Sequence, residues 1–141
     1  MNIYPNPNKA HARALLESAD LPVDDLDGID FQHFLGCGSE DAPQGIIGYE
    51  PLGDIGLLRS LVVAPSARAS GCGQALLNSL EHNAQTRGLR SLYLLTNTAE
   101  HFFARHGYHP IAREDVPDAV RQTREFSQLC PDSATVMVKT F

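Results

Sequence analysis

The sequence lacks three features that would each indicate a partner or a destination in the cell. It has no surplus of basic residues, because 17 acidic residues outweigh 11 lysines and arginines and leave a formal net charge of -6, which argues against nucleic acid as the main partner. Its longest apolar run, residues 55–64, contains Arg59 and Ser60 and is too short to span a bilayer. The first residues lack the basic and apolar regions of a signal peptide. We therefore expect no nucleic-acid partner, no membrane partner and a cytoplasmic location.

Cysteine is also scarce. Cys37, Cys72 and Cys130 are far apart and form no CxxC pair, a usage typical of a reduced, cytosolic domain. The histidines at positions 101, 106 and 109 lack the four-residue spacing of a helical zinc pair, so we expect no metal. With 141 residues and 43% hydrophobic composition the chain can bury a sizeable core, and we expect residues 1–141 to form a single domain.

Apolar periodicity and turn residues predict a mixed α/β architecture. The spacing of apolar residues predicts a helix over residues 8–18, with Asn8 as its cap, and a longer helix over residues 73–87. Two runs separated by a short turn predict an antiparallel hairpin, and a continuous apolar run predicts a buried strand after the long helix. The predicted strands are residues 45–50, 55–63, 92–95 and 135–139, and the other predicted helices are residues 98–106 and 116–126.

Two glycines and an arginine stand immediately before the long helix, in the stretch APSARASGCGQALL. Backbone N–H groups at a helix N-terminus are unpaired and bind phosphate. Gly71 and Gly73 let the backbone approach a ligand without a Cβ in the way, and Arg68 adds a fixed positive charge. The simpler interpretation is an ordinary strand-to-helix turn. The pattern Arg-x-x-Gly-x-Gly in this setting favours a phosphate-binding loop.

Two common phosphate loops do not fit this stretch. A Walker loop ends in Gly-Lys-Ser/Thr, whereas Gln74 follows the last glycine here, and Leu76 occupies the position of the third glycine of a dinucleotide fingerprint. The segments LVVAP and RASGCG instead resemble the coenzyme A loop of the GCN5-related N-acetyltransferase (GNAT) superfamily. The segment TNTAEHFFARHGY, together with LLRSL and FSQLCP, resembles most the small N-acetyltransferases associated with arsenic resistance, and next the N-acetylglutamate synthase type.

The resemblance implies a fold, a reaction and a cofactor. The implied fold is the acyl-CoA N-acyltransferase fold, an α/β fold with a central, mixed, mostly antiparallel sheet, a splayed strand pair and flanking helices. The implied reaction moves an acetyl group from acetyl-CoA, without a metal, to the amine of a small acceptor by direct attack. The pyrophosphate would lie on the loop amides, and the pantetheine arm would pair with the strand. The residues assigned to the cofactor are Leu61, Val62, Val63, Arg68, Ala69, Ser70, Gly71, Cys72, Gly73, Thr96 and Phe103.

The chain departs from the superfamily at its usual catalytic positions. Many members have a tyrosine that protonates the leaving thiolate, and this chain has Phe103 there, so no tyrosine acid is identified. Many members have a glutamate base on the long strand, and this chain has Leu57 there. The best remaining carboxylate is Glu50, as a base or through a water molecule. The alternative for Glu50 is an exposed turn residue without a catalytic role.

Arg59 places a charge inside an apolar strand. Because side chains alternate along a strand, one face is predicted to hold Leu57, Arg59, Leu61 and Val63. In the superfamily the face of position 57 looks onto the acyl-transfer site, where a guanidinium needs an anion. Arg59, with Ser60 beside it, would then bind the acid group of an amino-acid-like acceptor, or of an arsenic- or phosphinate-containing analogue. The alternative is an internal ion pair with Glu50 or Asp54, and a β-bulge would change the faces.

Two classes of function stay open. One is an N-acetyltransferase that acts on a small-molecule amine. The other is a coenzyme A-binding sensor that has lost its chemistry, which the missing tyrosine and glutamate favour. Release of free thiol from acetyl-CoA in the presence of amines distinguishes them. We leave open which amine is the acceptor and whether the protein forms a homodimer.

Overall fold

A mixed sheet organises the part of the chain that the computed structural model describes, which is residues 2–19, 23, 31–68, 70–123, 126 and 134–141. Within these residues its strands are β1 (Ile3–Pro5), β2 (Phe34–Gly38), β3 (Pro43–Leu52), β4 (Ile55–Val63), β5 (Ser91–Thr96), β6 (His109–Ile111) and β7 (Thr135–Thr140). They lie in the order β1-β2-β3-β4-β5-β7-β6. Neighbouring strands are antiparallel except β4 and β5, which are parallel. The predicted mixed, mostly antiparallel sheet is confirmed.

Helices cover both faces of this sheet. In the described part of the chain they are α1 (Lys9–Ser18), α2 (Cys72–Thr86), α3 (Glu100–Arg105) and α4 (Asp118–Arg121). The apolar side of α2, with Leu76, Leu77 and Leu80, packs on one face together with α3. The helices α1 and α4 pack on the other face, through Leu16 and Val120 respectively.

One predicted helix cap is confirmed, and two other predicted helix ends differ in the structure. Asn8 caps α1 by accepting a hydrogen bond from the amide of His11 at 3.1 Å. The residue before α3 is Ala99, and Thr98 provides no side-chain cap. Within the range predicted as a helix over residues 116–126, the described α-helix is the short α4, which begins after Pro117 because proline is accepted in a first helical turn and not inside a helix. Residues 124–125 lie outside the described part of the chain.

The β3–β4 hairpin contains a bulge that the sequence did not predict. Ile46 pairs with Val62, whereas Gly48 pairs with Arg59, so β4 carries one extra residue at this point. Ser60 lies in the bulge with a φ of 62°, in the left-handed region. The extra residue reverses the alternation of side chains along β4.

The predicted face of β4 is therefore wrong beyond Ser60. Leu57 packs toward α4 and Arg59 shares its face, as expected. Leu61 and Val63 pack with the α2 cluster on the opposite face. Before the bulge, the even-numbered Leu58 faces α2. After the bulge, the odd-numbered residues Leu61 and Val63 face α2.

The strands β4 and β5 separate after a short paired stretch. Residues 55–57 pair with residues 91–93, but β4 continues to Val63 and β5 to Thr96. The edge of β4 that faces β5 is thus free over residues 61–63, while its other edge pairs with β3. This is the splayed strand pair that the family resemblance implies.

The expectation of reduced cysteines is wrong for two of them. Cys37 in β2 and Cys72, the first residue of α2, form a disulfide across 35 positions of sequence, and both are fully buried. The sheet brings β2 under the start of α2, a proximity that the linear spacing of the cysteines does not reveal. Cys130 lies outside the described residues. No described helix is long and apolar enough to cross a membrane.

Candidate active site

The connection between β4 and α2 forms one wall of the candidate site. After β4 the chain makes a single 3-10 turn at Pro65–Ala67, and Gly71 then caps α2 with a φ of 83°. A Cβ on Gly71 would meet open space, so the left-handed backbone, and not crowding, requires glycine there. The amides of the first turn of α2 have no acceptor within the helix. They are available to an anion.

A cavity of about 640 Å³ opens beside this connection, next to the free edge of β4. The residues from the predicted cofactor set that line it are Leu61, Val62, Val63, Arg68, Gly71 and Gly73. The Arg68 side chain is exposed, and its Nε donates a hydrogen bond to the carbonyl oxygen of Val63 at 3.2 Å. The splayed strand and the loop thus meet in one concave surface, which is the usual form of a small-molecule site.

Other predicted loop residues lie near the cavity without being part of its lining. The Ser70 hydroxyl donates to the carbonyl oxygen of Ala67 at 2.5 Å and so closes the turn before α2. Cys72 is buried in the disulfide. A nucleophilic role for Cys72 was not expected, and its sulfur is not a free thiol here. Ala69 lies outside the described residues.

The two predicted cofactor residues that lie beyond α2 in the sequence support the wall formed by α3. The Thr96 hydroxyl accepts a hydrogen bond from the amide of Ala99 at 2.9 Å, which fixes the entry to α3. Phe103 is only 4% exposed and packs edge-on against Tyr108. Its neighbour Phe102 lines the cavity instead.

The sequence analysis did not predict most of the residues that α3 and its C-terminal end contribute to the cavity lining. Phe102, Arg105 and His106 line the cavity, with Gln74 and Ala99. The spacing of positions 102, 105 and 106 is that of one helical face, so helical periodicity could have identified these residues together. Among the described lining residues, the basic side chains Arg68, Arg105 and His106 face no acidic one. The cavity is therefore electropositive in an acidic chain.

Glu50 and Arg59 form an ion pair across the hairpin. The Nη1 atom of Arg59 lies 2.9 Å from Oε1 of Glu50, and the Nε of Arg59 donates to the hydroxyl of Ser60 at 3.0 Å. The Arg59 side chain has no exposed surface, whereas that of Glu50 is 20% exposed. Of the two predicted site residues, Glu50 is thus the one that a ligand can reach. The internal pair that the sequence left as an alternative is present.

Glu50 lies where β4 and β5 begin to separate. It pairs with Leu57, which is also the last β4 residue paired with β5. Glu50, Leu57 and Arg59 share one face of the sheet, opposite α2. The Glu50 carboxylate therefore lies at the apex of the splayed pair, which is the point where β4 and β5 separate. Glu50 is on β3, the neighbour of β4, and the free edge of β4 borders the cavity.

A buried polar network holds the cavity walls together. The Tyr108 hydroxyl donates to Oε2 of Glu81 at 2.9 Å, and the Lys139 ammonium donates to Oε1 of Glu81 and to the carbonyl oxygen of His106, each at 2.9 Å. Burial, together with the charge of Glu81, raises the pKa of Tyr108 far above its usual range. The network joins α2 to β7 and to the turn after α3, and so links the two helical walls.

Nothing in the described part of the chain groups three or more metal-ligating side chains.

The sequence matches known acetyltransferases. Residues 30–110, more than half of the chain, match the family model described as "Acetyltransferase (GNAT) domain". The chain is 33% identical over 112 residues to an amino-acid acetyltransferase of Ralstonia nicotianae, a match that covers 78% of this chain and 22% of the relative. The chain thus spans about a fifth of the length of this relative.

Solved structures share the fold along nearly the whole chain. An N-acetylglutamate synthase from Neisseria gonorrhoeae, in complex with coenzyme A and N-acetylglutamate, superposes with a TM-score of 0.81 at 19% identity, over 99% of this chain and 34% of that one. A GNAT-family acetyltransferase from Staphylococcus aureus superposes with a TM-score of 0.80 at 19% identity, over 99% of this chain and 98% of that one. The loop, the splayed strands and these matches lead to one conclusion: the chain belongs to the GNAT acetyltransferase family.

Proposed function

We propose that the protein transfers the acetyl group of acetyl-CoA to the amine of a small, amino-acid-like acceptor. The observation that carries the proposal is the electropositive cavity between the free edge of β4, the Arg68 to Gly73 loop and α3. Family membership supports the use of acetyl-CoA. The relative named amino-acid acetyltransferase supports an amino acid as the acceptor.

The cavity suits the shape and charge of acetyl-CoA. The pyrophosphate would accept hydrogen bonds from the amides at the start of α2, with Arg68 beside it. The pantetheine arm would lie along residues 61–63, whose free edge offers backbone donors and acceptors. This arrangement directs the thioester toward the apex of the splayed pair.

Glu50 is the group that we assign to the acceptor amine. The neutral amine attacks the thioester carbonyl carbon, a C–N bond forms, the C–S bond breaks, and the nitrogen must lose a proton. The Glu50 carboxylate, directly or through a water molecule, would take that proton. Arg59 would act as a positioning residue, because it holds Oε1 of Glu50 at 2.9 Å. The sequence led us to expect a direct contact between Arg59 and the acid group of the acceptor. The Arg59 side chain has no exposed surface in this structure, so an acceptor cannot reach it here.

The leaving thiolate needs little help from the protein. Phe103, at the family's tyrosine position, is buried and has no proton to give. The thiol of cysteine has a pKa of about 8.5, far below that of an alcohol, and a thiolate is correspondingly a good leaving group near neutral pH. We propose that the thiolate takes its proton from water.

Release of free thiol from acetyl-CoA tests the proposed function. The amines to compare are free amino acids including glutamate, amino acids that carry an arsonate or phosphinate group, and simple amines of similar size without an acid group. We expect thiol release with amino acids well above the rate with acetyl-CoA alone. Binding of acetyl-CoA without thiol release for every amine would instead support the sensor alternative. Equal rates with simple amines would contradict the amino-acid-like acceptor.

The variant Glu50→Gln tests the role of the carboxylate. We expect kcat to fall about 10²- to 10⁴-fold, the usual contribution of a general base, while the affinity for acetyl-CoA stays the same. Asp54→Asn is the matched control, because Asp54 is a turn acid that pairs with Arg90 at 2.5 Å. Unchanged turnover and pH dependence in Glu50→Gln would show that Glu50 is not the base.

A further inference from the structure

The cavity has an arginine side chain on each of two sides. Arg68 stands beside the amides at the start of α2, on the side of β4. Arg105 and His106 stand on the α3 side of the same cavity. A ligand with two separate phosphate groups would match this distribution of charge better than a ligand with one.

Arg105 is available for a ligand. It is exposed in the last turn of α3, and it forms no ion pair or side-chain hydrogen bond with any described residue. Arg59, Arg90 and Lys139, by contrast, are each paired with a carboxylate. An unpaired guanidinium that lines a cavity is suited to a phosphate, which it can bind with two parallel N–H donors.

The end of α3, which carries Arg105, is held in place by its neighbours. The ring of His106 packs on the ring of Phe102, with 4.7 Å between their centroids. The carbonyl oxygen of His106 is held by the Lys139 ammonium, which is itself paired with Glu81. The end of α3 is therefore fixed against α2 and β7, so Arg105 is presented from a rigid element.

We propose that Arg105 recognises the 3′-phosphate of coenzyme A and makes the protein selective for acetyl-CoA over its 3′-dephospho form. This inference rests on the proposed use of acetyl-CoA. Coenzyme A has a pyrophosphate and, on its ribose, a phosphate monoester. The loop and Arg68 serve the pyrophosphate, and Arg105 serves the monoester at the opposite side of the cavity.

The test is a comparison of dissociation constants for acetyl-CoA and acetyl-3′-dephospho-CoA, measured by calorimetry. The wild type should bind acetyl-CoA about tenfold more tightly, the factor typical of one charge-assisted hydrogen-bonded contact at an accessible site. Arg105→Met should bind acetyl-CoA about tenfold more weakly than the wild type does. It should bind the dephospho form with the wild-type affinity. Arg90→Met is the matched control: it removes the same charge outside the cavity and should keep the tenfold preference.

The possible results separate the inference from the proposed function. A wild type without preference, or an Arg105→Met variant that keeps the wild-type preference, would overturn the role of Arg105 and leave acetyl-CoA binding intact. A wild type that binds neither compound would overturn both. Loss of the preference in Arg90→Met would show that total charge, and not a specific contact, determines it.

Discussion

At the scale of single residues, two adjacent phenylalanines have different surroundings. Phe103 is buried, with ring centroids 5.3 Å from Phe102 and 5.4 Å from Tyr108. Phe102 is half-buried and lines the cavity. The position that carries the acid in many GNAT enzymes thus faces the core in this protein, and the residue before it faces the site.

The variant Phe103→Tyr should lower stability and leave turnover no faster. Its new hydroxyl would enter an apolar cluster, at a cost of about 1–3 kcal/mol for an unpaired polar group. Phe102→Tyr, whose hydroxyl would reach the cavity, should change stability by less than about 0.5 kcal/mol. Urea unfolding of the two variants measures both effects. A Phe103→Tyr variant as stable as the wild type and faster in thiol release would contradict this placement.

Tyr49 carries a buried hydroxyl without a hydrogen-bond partner in the described part of the protein. Burial raises its pKa. Because the folded pKa is above the unfolded value of about 10, ionisation of this phenol is less favourable in the folded state than in the unfolded state. The free energy of unfolding is therefore independent of this ionisation below about pH 10 and falls as the pH rises further.

The variant Tyr49→Phe should therefore be more stable than the wild type. Removal of the unpaired hydroxyl should add about 1 kcal/mol at pH 7, and the loss of stability above pH 10 should become less steep. Tyr108→Phe is the matched comparison, because the Tyr108 hydroxyl is bonded to Glu81, and it should lose about 1–3 kcal/mol. Thermal unfolding at pH 7 and pH 10.5 measures both. Equal destabilisation of the two variants would mean that the Tyr49 hydroxyl has a partner.

At the scale of elements, sequence patterns predicted the parts of the fold that rest on local signals. The apolar periodicity of α2, the cap at Asn8 and the short turn between β3 and β4 are encoded in neighbouring residues, and all appear. The three-residue strands β1 and β6 were missed, since they are too short to show alternation and form only by pairing with distant strands. The five-residue strand β2, an apolar run without alternation, was missed too.

In the candidate site too, features set by neighbouring residues were predicted, and features set by contacts between distant residues were not. The loop glycines and Arg68 could be recognised because the pattern is contiguous. The bulge at Ser60 could not, because it is defined by the register between two strands. For the same reason the pairing of Arg59 with Glu50 was one of two open alternatives, and Arg105 was overlooked.

The Cys37–Cys72 disulfide joins β2 to the start of α2 and should contribute strongly to stability. A cross-link over 35 residues restricts the unfolded chain, which is worth about 3–4 kcal/mol in the chain-entropy account. Reduction with dithiothreitol should lower the unfolding midpoint of the wild type accordingly. The double variant Cys37→Ala, Cys72→Ala should resemble the reduced wild type and not respond to dithiothreitol. A wild type whose midpoint is insensitive to the reductant would contradict the cross-link.

At the scale of the whole molecule, an acidic chain encloses a basic cavity. The net charge is -6, yet the described lining contains three basic side chains and no acidic one. Local charge, and not the total, governs which ligand enters a cleft. The composition argues against a general polyanion such as nucleic acid, and that expectation stays a prediction, but it carries no information about this local reversal. The number of domains and the cytoplasmic location stay predictions from the sequence.

The central claim is that acetyl-CoA binds in this cavity, and a titration of the wild type and of Gly73→Leu with acetyl-CoA tests it most directly. A Cβ at Gly73 would lie 3.6 Å from Phe102 and 3.7 Å from Val63, which is ordinary contact, so the larger leucine should fill the cavity without unfolding the helix. We predict that the variant keeps the wild-type unfolding midpoint and loses at least about a hundredfold in affinity. Equal affinity in the two proteins would contradict the account.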